Sequence, residues 1–281
     1  MVKTPGVVRV AAVGDIHLGR AAYGPPIQTL FAEVAERADV LALCGDLTDR
    51  GEPEEGRQLG RALATIGVPI VAVLGNHDYE SGNVPELGKI LREAGVQLLD
   101  GGDAVEIHGV GFAGVKGFAG GFGRRALGPW GEETIKQFVR EAVEEALKLE
   151  TSLSKLRTER RVALLHYSPI AGTVEGEPRE IYPYLGSSRL EEPLIRYPVD
   201  VVFHGHAHHG TLEGKTVGGV TVYNVSLALL QRSFPDVPPF KVVELRTPQE
   251  RREDGQVERR MDLQTDRRAE PQAGRRGVES S

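Results

Sequence analysis

The chain has 281 residues, 40% of them hydrophobic, enough to fill the core of one large α/β domain or two small ones. Its 34 basic and 40 acidic residues leave a formal net charge of -6, which disfavours a strong nucleic-acid binder. No apolar run approaches the roughly 18 residues of a membrane span, and Arg9 interrupts the apolar stretch near the N-terminus, so neither a span nor a cleaved leader is expected.

Val7 to Val13 reads as a buried strand ending at Gly14. Ile27, Leu30, Phe31, Val34 and Ala35 recur at helical spacing through Ile27 to Ala38. A second strand follows from Val40 to Leu43 and ends at Gly45-Asp46. The single cysteine, Cys44, adjoins this apolar run, reads as a small buried hydrophobe and suits a reducing, cytoplasmic setting. A helix from Pro53 to Ile66 and a strand from Ile70 to Leu74, ending at Gly75-Asn76, repeat the βαβ arrangement. Leu87 to Ala94 reads as helix. Val96 to Val115 reads as short strands broken at Gly101-Gly102 and Gly109, an antiparallel pattern that makes the sheet content mixed.

Lys116 to Pro129, rich in glycine with Phe118, Phe122, Arg124 and Arg125, reads as a functional loop. Glu132 to about Arg157 has the periodicity of an amphipathic helix. Strands are expected at Val162 to Leu165, Val199 to Phe203, Val220 to Val225 and Phe240 to Leu245. One domain therefore spans residues 1–246. Residues 247–281 are dense in charge and poor in large apolar side chains, and are expected to form a disordered tail.

Five strand ends carry chemistry: Asp15 and His17, Asp46, Asn76-His77-Asp78, His166, and the run His204-Gly205-His206-Ala207-His208-His209. In an α/β sheet, ligands bind at the strands' carboxyl ends, so these clusters are expected to converge although they span almost the whole domain. Imidazoles mixed with carboxylates suit divalent Zn, Mn, Fe or Co rather than an all-oxygen Mg or Ca site. The number of ligands exceeds one ion's need, which points to two ions and an in-line displacement at phosphorus.

These motifs, Asp-x-His, Gly-Asp, Gly-Asn-His-Asp, an isolated His and Gly-His-x-His, resemble in content and order those of the calcineurin-like metallophosphoesterases, over roughly Val7 to Tyr223. The resemblance implies an α/β/β/α sandwich of two mixed sheets flanked by helices. It assigns Asp15, His17 and His208 to a first metal and Asn76, His166 and His206 to a second, with Asp46 bridging them. His77 would face the phosphate as a catalytic imidazole that Asp78 orients, and a hydroxide bridging the two metals would attack a phosphate ester. His206 and His208 are preferred to His204 and His206 because only His206 directly follows the motif's glycine, which leaves His204 and His209 as supporting candidates.

Asp46-Leu47-Thr48-Asp49-Arg50-Gly51 is similar to the protein Ser/Thr phosphatases, in which the arginine contacts phosphate; Arg50 either does so or pairs with Asp49. The His206 and His208 pair, whose second histidine those protein phosphatases lack, instead fits the broader phosphodiesterase-like and nuclease-like branches. Asp49 stands where purple acid phosphatases carry an iron-binding tyrosine, which argues against that chemistry. Tyr167, Tyr182, Tyr184, Ser187, Ser188 and Arg189 are pocket candidates, and His108 reads as a turn residue. Two alternatives compete: a non-catalytic metal-binding scaffold of the same fold, and a metallo-β-lactamase-like hydrolase, which places aspartate where His208 stands and leaves Asp15, Asp46 and Asn76 unexplained.

Overall fold

A computed structural model describes residues 6–19 and 27–247; the expected tail beyond Thr247 lies outside the described residues. β1 (Val7–Val13), β2 (Val40–Cys44) and β3 (Ile70–Val73) are apolar runs whose side chains are almost all buried, as strands covered on both faces must be. α1 (Ile27–Arg37) and α2 (Pro53–Leu63) connect them, and the strands pair in parallel, Val10 with Val40 and Leu41 with Ile70. α3 (Val84–Glu93) carries the chain to β4 (Val96–Leu98), which also lies parallel to its neighbour β3. Val96 therefore closes a further crossover, and the antiparallel pattern expected from this point begins later. α3 also starts three residues before the expected Leu87, because Pro85 opens the helix.

β5 (Ala104–Ile107) and β6 (Val110–Val115) form that antiparallel hairpin. His108 and Gly109 turn it with φ of 53° and 79°, the two positive values of a type I′ turn. The expected long helix is α4 (Glu133–Lys155), which leads to β7 (Arg160–Leu165), parallel to β6. Short helices α5 (Tyr182–Leu185) and α6 (Glu191–Arg196) precede β8 (Val201–His204), parallel to β7. β9 (Glu213–Lys215) and β10 (Thr221–Asn224) pair antiparallel, with β10 also parallel to β8. After α7 (Leu227–Ser233), β11 (Lys241–Arg246) returns to the first sheet, antiparallel to β1.

The sheets are thus β11-β1-β2-β3-β4 and β5-β6-β7-β8-β10-β9, both mixed. Leu30, Phe31, Leu59, Leu63, Leu87 and Leu91 of α1 to α3 pack on the outer face of the first sheet. Leu149 and Leu153 of α4 and Leu194 of α6 pack on the outer face of the second. Between the sheets, Val10, Val40 and Val71 of one meet Phe112, Leu164 and Phe203 of the other. The result is the four-layered α/β/β/α sandwich. Phe112 is fully buried in its middle layer, and Phe112→Ala is expected to cost about 3–5 kcal/mol, read as a lowered urea midpoint with an unchanged slope. Among the described residues no helix is long and apolar enough to cross a membrane.

The layering brings the carboxyl ends of both sheets' parallel strands to one edge. Backbone hydrogen bonds stitch the two together there, Gly14 N to Val225 O at 2.9 Å and Leu227 N to Gly14 O at 3.0 Å.

Candidate metal centre

Seven side chains separated by up to 193 residues meet along this edge. Asp15, His17 and His208 place one potential ligand atom each within 4.8 Å of one another, and so do Asp46, His166 and His206. Asp46 reaches both groups: its Oδ1 lies 3.3 Å from His166 Nε2 and its Oδ2 lies 3.7 Å from His17 Nε2. The Asn76 Oδ1 is 2.9 Å from His166 Nε2, beside the second group. The His17 and His77 rings meet edge on, with centroids 4.5 Å apart.

The backbone at these positions is unusual. Asp15, His17, Asp46 and His206 have φ of 57°, 46°, 47° and 71°, the left-handed region that residues with a Cβ rarely enter. These conformations turn the chain sharply at each strand end and carry the side chain back over the sheet edge. Glycine is required beside two of the ligands by close approach: a Cβ on Gly75 would lie 2.1 Å from Asp46 Oδ1, and one on Gly205 would lie 2.4 Å from Asp15 Oδ2.

Partners of the ring nitrogens set which lone pairs remain free. His166 Nδ1 donates to the Cys44 carbonyl at 3.0 Å, which fixes the tautomer and leaves Nε2 as the ligating atom. His206 Nε2 stands 3.1 Å from the Tyr184 carbonyl, while the His206 amide donates to both oxygens of Asp15 at 3.0 Å. His17 is buried, yet neither of its ring nitrogens has a hydrogen-bond partner among the described residues. A buried imidazole left in this state costs free energy unless another species engages it.

The electrostatics make the same demand. Burial alone would raise Asp46 and Asp15, but the charge of His166 holds Asp46 below the ordinary carboxylate value and the hydrogen bond from His208 holds Asp15 well below it. Burial likewise works against a charged His166, yet the Asp46 charge outweighs it and pushes the imidazole up to about 9. Its neighbour His206, buried and facing that positive ring, is pushed down to about 3. Two buried carboxylates thus require positive charge beside them, and the surrounding donors are imidazoles and an amide oxygen. This set fits divalent transition-metal ions.

His77, half-buried, holds its Nδ1 2.8 Å from the Asp49 carbonyl and 3.3 Å from Glu80 Oε1. Asp78 does not orient that ring as expected. Its carboxylate is fully buried on the other side and accepts from Leu47 N, Thr48 N, Thr48 Oγ1 and Gly75 N at 2.6–3.2 Å. Burial and the charge of Asp46 push it up to about 6 against those hydrogen bonds. It ties the loop carrying Asp46 to the loop carrying Asn76. Asp49, read from the sequence as a partner for Arg50 and as the replacement of an iron-binding tyrosine, takes the place beside both imidazoles, with Oδ1 3.5 Å from His17 Nδ1. Arg50 does not pair with Asp49: its amide donates to Glu55 Oε2 at 3.0 Å, and its exposed guanidinium meets no described partner.

His204 is buried outside the centre, between Thr173 Oγ1 and the Gly205 carbonyl at 2.8 Å each, and His209 is exposed with its amide on Glu177. The Gly-rich loop lies on the segment after α5's start, Gly120 N donating to Pro183 O at 2.7 Å and Gly121 N to Gly186 O at 2.8 Å. Phe118 packs inward against Phe138 and Tyr167 rather than standing in a pocket.

A search of curated proteins by sequence returns no match. Solved structures share the fold. One is the phosphopantetheinyl hydrolase of Mycobacterium tuberculosis, with a TM-score of 0.63, 17% identity, and coverage of 88% of this chain and 99% of that one. Another is the protein TT1561 of Thermus thermophilus, with a TM-score of 0.51, 13% identity, and coverage of 84% and 98%. The family profile described as calcineurin-like phosphoesterase matches residues 8–210, so that the strand ends bearing all the site residues above fall inside it, and the chain belongs to that family.

Proposed function

We propose that this chain is a metal-dependent hydrolase of phosphate esters, a phosphodiesterase or broad-specificity phosphatase, working with two divalent ions drawn from Mn, Fe, Zn and Co. The observation that carries the reading is the Asp46 carboxylate, which spans two separate groups of ligand atoms, one oxygen towards each. In it, Asp15, His17 and His208 hold one ion, Asn76, His166 and His206 hold the other, and Asp46 belongs to both. Such ions supply Lewis acidity towards a phosphoryl oxygen and lower the pKa of a bound water.

The protein's own groups do the rest. With Nδ1 donating to the Asp49 carbonyl, the His77 imidazolium has Nε2–H left to pair with a phosphoryl oxygen or to protonate the leaving oxygen. Arg50, charged and exposed, offers two parallel N–H groups to the phosphate. Asp78 positions the Asp46 and Asn76 loops and touches neither substrate nor ion.

The test is reconstitution. Protein stripped of metal and given Mn, Co, Zn or Fe(II) should hydrolyse bis-p-nitrophenyl phosphate or p-nitrophenyl phosphate, and preference between them chooses diesterase or monoesterase. His77→Ala should lower kcat about 10²–10⁴-fold with metal content unchanged, as expected for a lost general acid. Asp46→Asn should abolish turnover and reduce metal bound per chain. Two ions bound but no turnover with either substrate would favour the non-catalytic scaffold, whereas turnover surviving Asp46→Asn would refute the assignment of the bridge.

A further inference from the structure

A cavity of ≈ 250 Å³ lies between α3, α4 and the carboxyl ends of β3 and β6. It contains none of the ligand residues named above. Leu74, Leu98 and Leu99 give it an apolar floor, all buried. Arg92, Asp100, Glu145, Lys148 and Lys116 supply its charges. Two of the cations are already matched: Lys148 Nζ is 2.7 Å from Glu145 Oε1, and Arg92 Nη2 is 3.9 Å from Asp100 Oδ2 on the exposed side. The other oxygen of Glu145 accepts from Gly117 N at 2.8 Å, so that carboxylate is fully engaged.

Lys116 is the unmatched charge. Its Nζ donates to the Gly117 carbonyl at 2.9 Å and stands 4.9–5.4 Å from the ring centroids of Tyr79, Phe118 and Tyr167, and among the described residues it forms no ion pair. An ammonium walled by three rings is held electrostatically, but two of its three N–H donors have no acceptor among the described residues, and none has an anionic one.

We infer that this cavity is a binding site for a small organic monoanion, a carboxylate on a short apolar body, with the carboxylate on Lys116 and the body on the leucine floor. Charge and size both argue for it. Three cations against two carboxylates leave one positive charge to neutralise. At the roughly 30 Å³ that a water takes in the liquid, the volume holds roughly eight non-hydrogen atoms. The site does not depend on the hydrolytic reading, because none of the metal ligands lines it.

Hexanoate, with the right charge and number of atoms, is the probe. Titrated into the full-length protein by calorimetry, it should bind the wild type and Asp46→Asn with equal affinity. Lys116→Met should weaken binding about tenfold or more, the loss expected for a charge-assisted hydrogen bond. Val84→Trp, which fills the cavity from the start of α3 and leaves Lys116 in place, should abolish it and decides the matter if Lys116→Met does not fold. No binding to the wild type at millimolar hexanoate would overturn the proposal. So would binding that survives both pocket variants, or binding that Asp46→Asn alone removes.

Discussion

Gly75→Ala is expected to silence the centre without touching a ligand. The added Cβ would sit 2.1 Å from Asp46 Oδ1 and 2.3 Å from Asp46 N, and neither atom can retreat, since Asp46 is buried. The Asp46 and Asn76 loops must therefore part. Displacement of about 1 Å at a reacting centre costs about 10² in rate, so kcat should fall at least that far and metal bound per chain should fall with it. Gly82→Ala is the matched control: Gly82 has φ of 74° with open space around its missing Cβ, so it reports backbone strain alone. It should lose about 1 kcal/mol of stability and no activity. Wild-type turnover in Gly75→Ala would mean that the close approach does not hold Asp46 in place.

The second large effect belongs to Asp78. Asp78→Ala leaves three buried amides and the Thr48 hydroxyl without their acceptor. Removing one partner of a buried charged network costs about 3–5 kcal/mol, and in a domain of this size that lowers Tm by about 10 °C. Asp78→Asn keeps the shape but turns an NH₂ group towards N–H donors, so it should recover only part of the loss. A role confined to orienting His77 would instead predict kcat reduced with Tm unchanged. Calorimetric scans beside rate measurements separate the two.

The site was readable because each of its parts is local in sequence. An apolar run, a glycine and one or two polar letters say where a strand ends and what it presents there; Asp15, Asp46, Asn76 and His206 announce themselves in this way, and His166 by following the apolar run Val162–Leu165 directly. What remained hidden is whatever depends on the backbone of a distant segment. The acceptors of His166, His77 and His206 are the carbonyls of Cys44, Asp49 and Tyr184, and a carbonyl has no letter in the sequence. Asp78 misled for a related reason: it adjoins His77 in the chain, but consecutive side chains on this tight turn point apart, and its carboxylate faces Leu47 and Thr48 instead. Among the elements, β9 is Glu213-Gly214-Lys215, with no strand propensity at all; pairing with Thr221–Tyr223 makes it a strand. Short helices such as α5 and α6 offer too few residues to show a period.

The four left-handed residues of the centre have a bearing on how the protein can be engineered. Each non-glycine residue in that region costs of order 1–3 kcal/mol, and Asp15, His17, Asp46 and His206 bear that cost at once. A selection for heat resistance alone would find its easiest gains there, by changing these residues to glycine and relaxing the turns. Every such gain would remove an Asp or His from the cluster. Thermostability screens on this chain therefore need a simultaneous screen for turnover, because the positions that most readily yield stability are the ones the chemistry occupies.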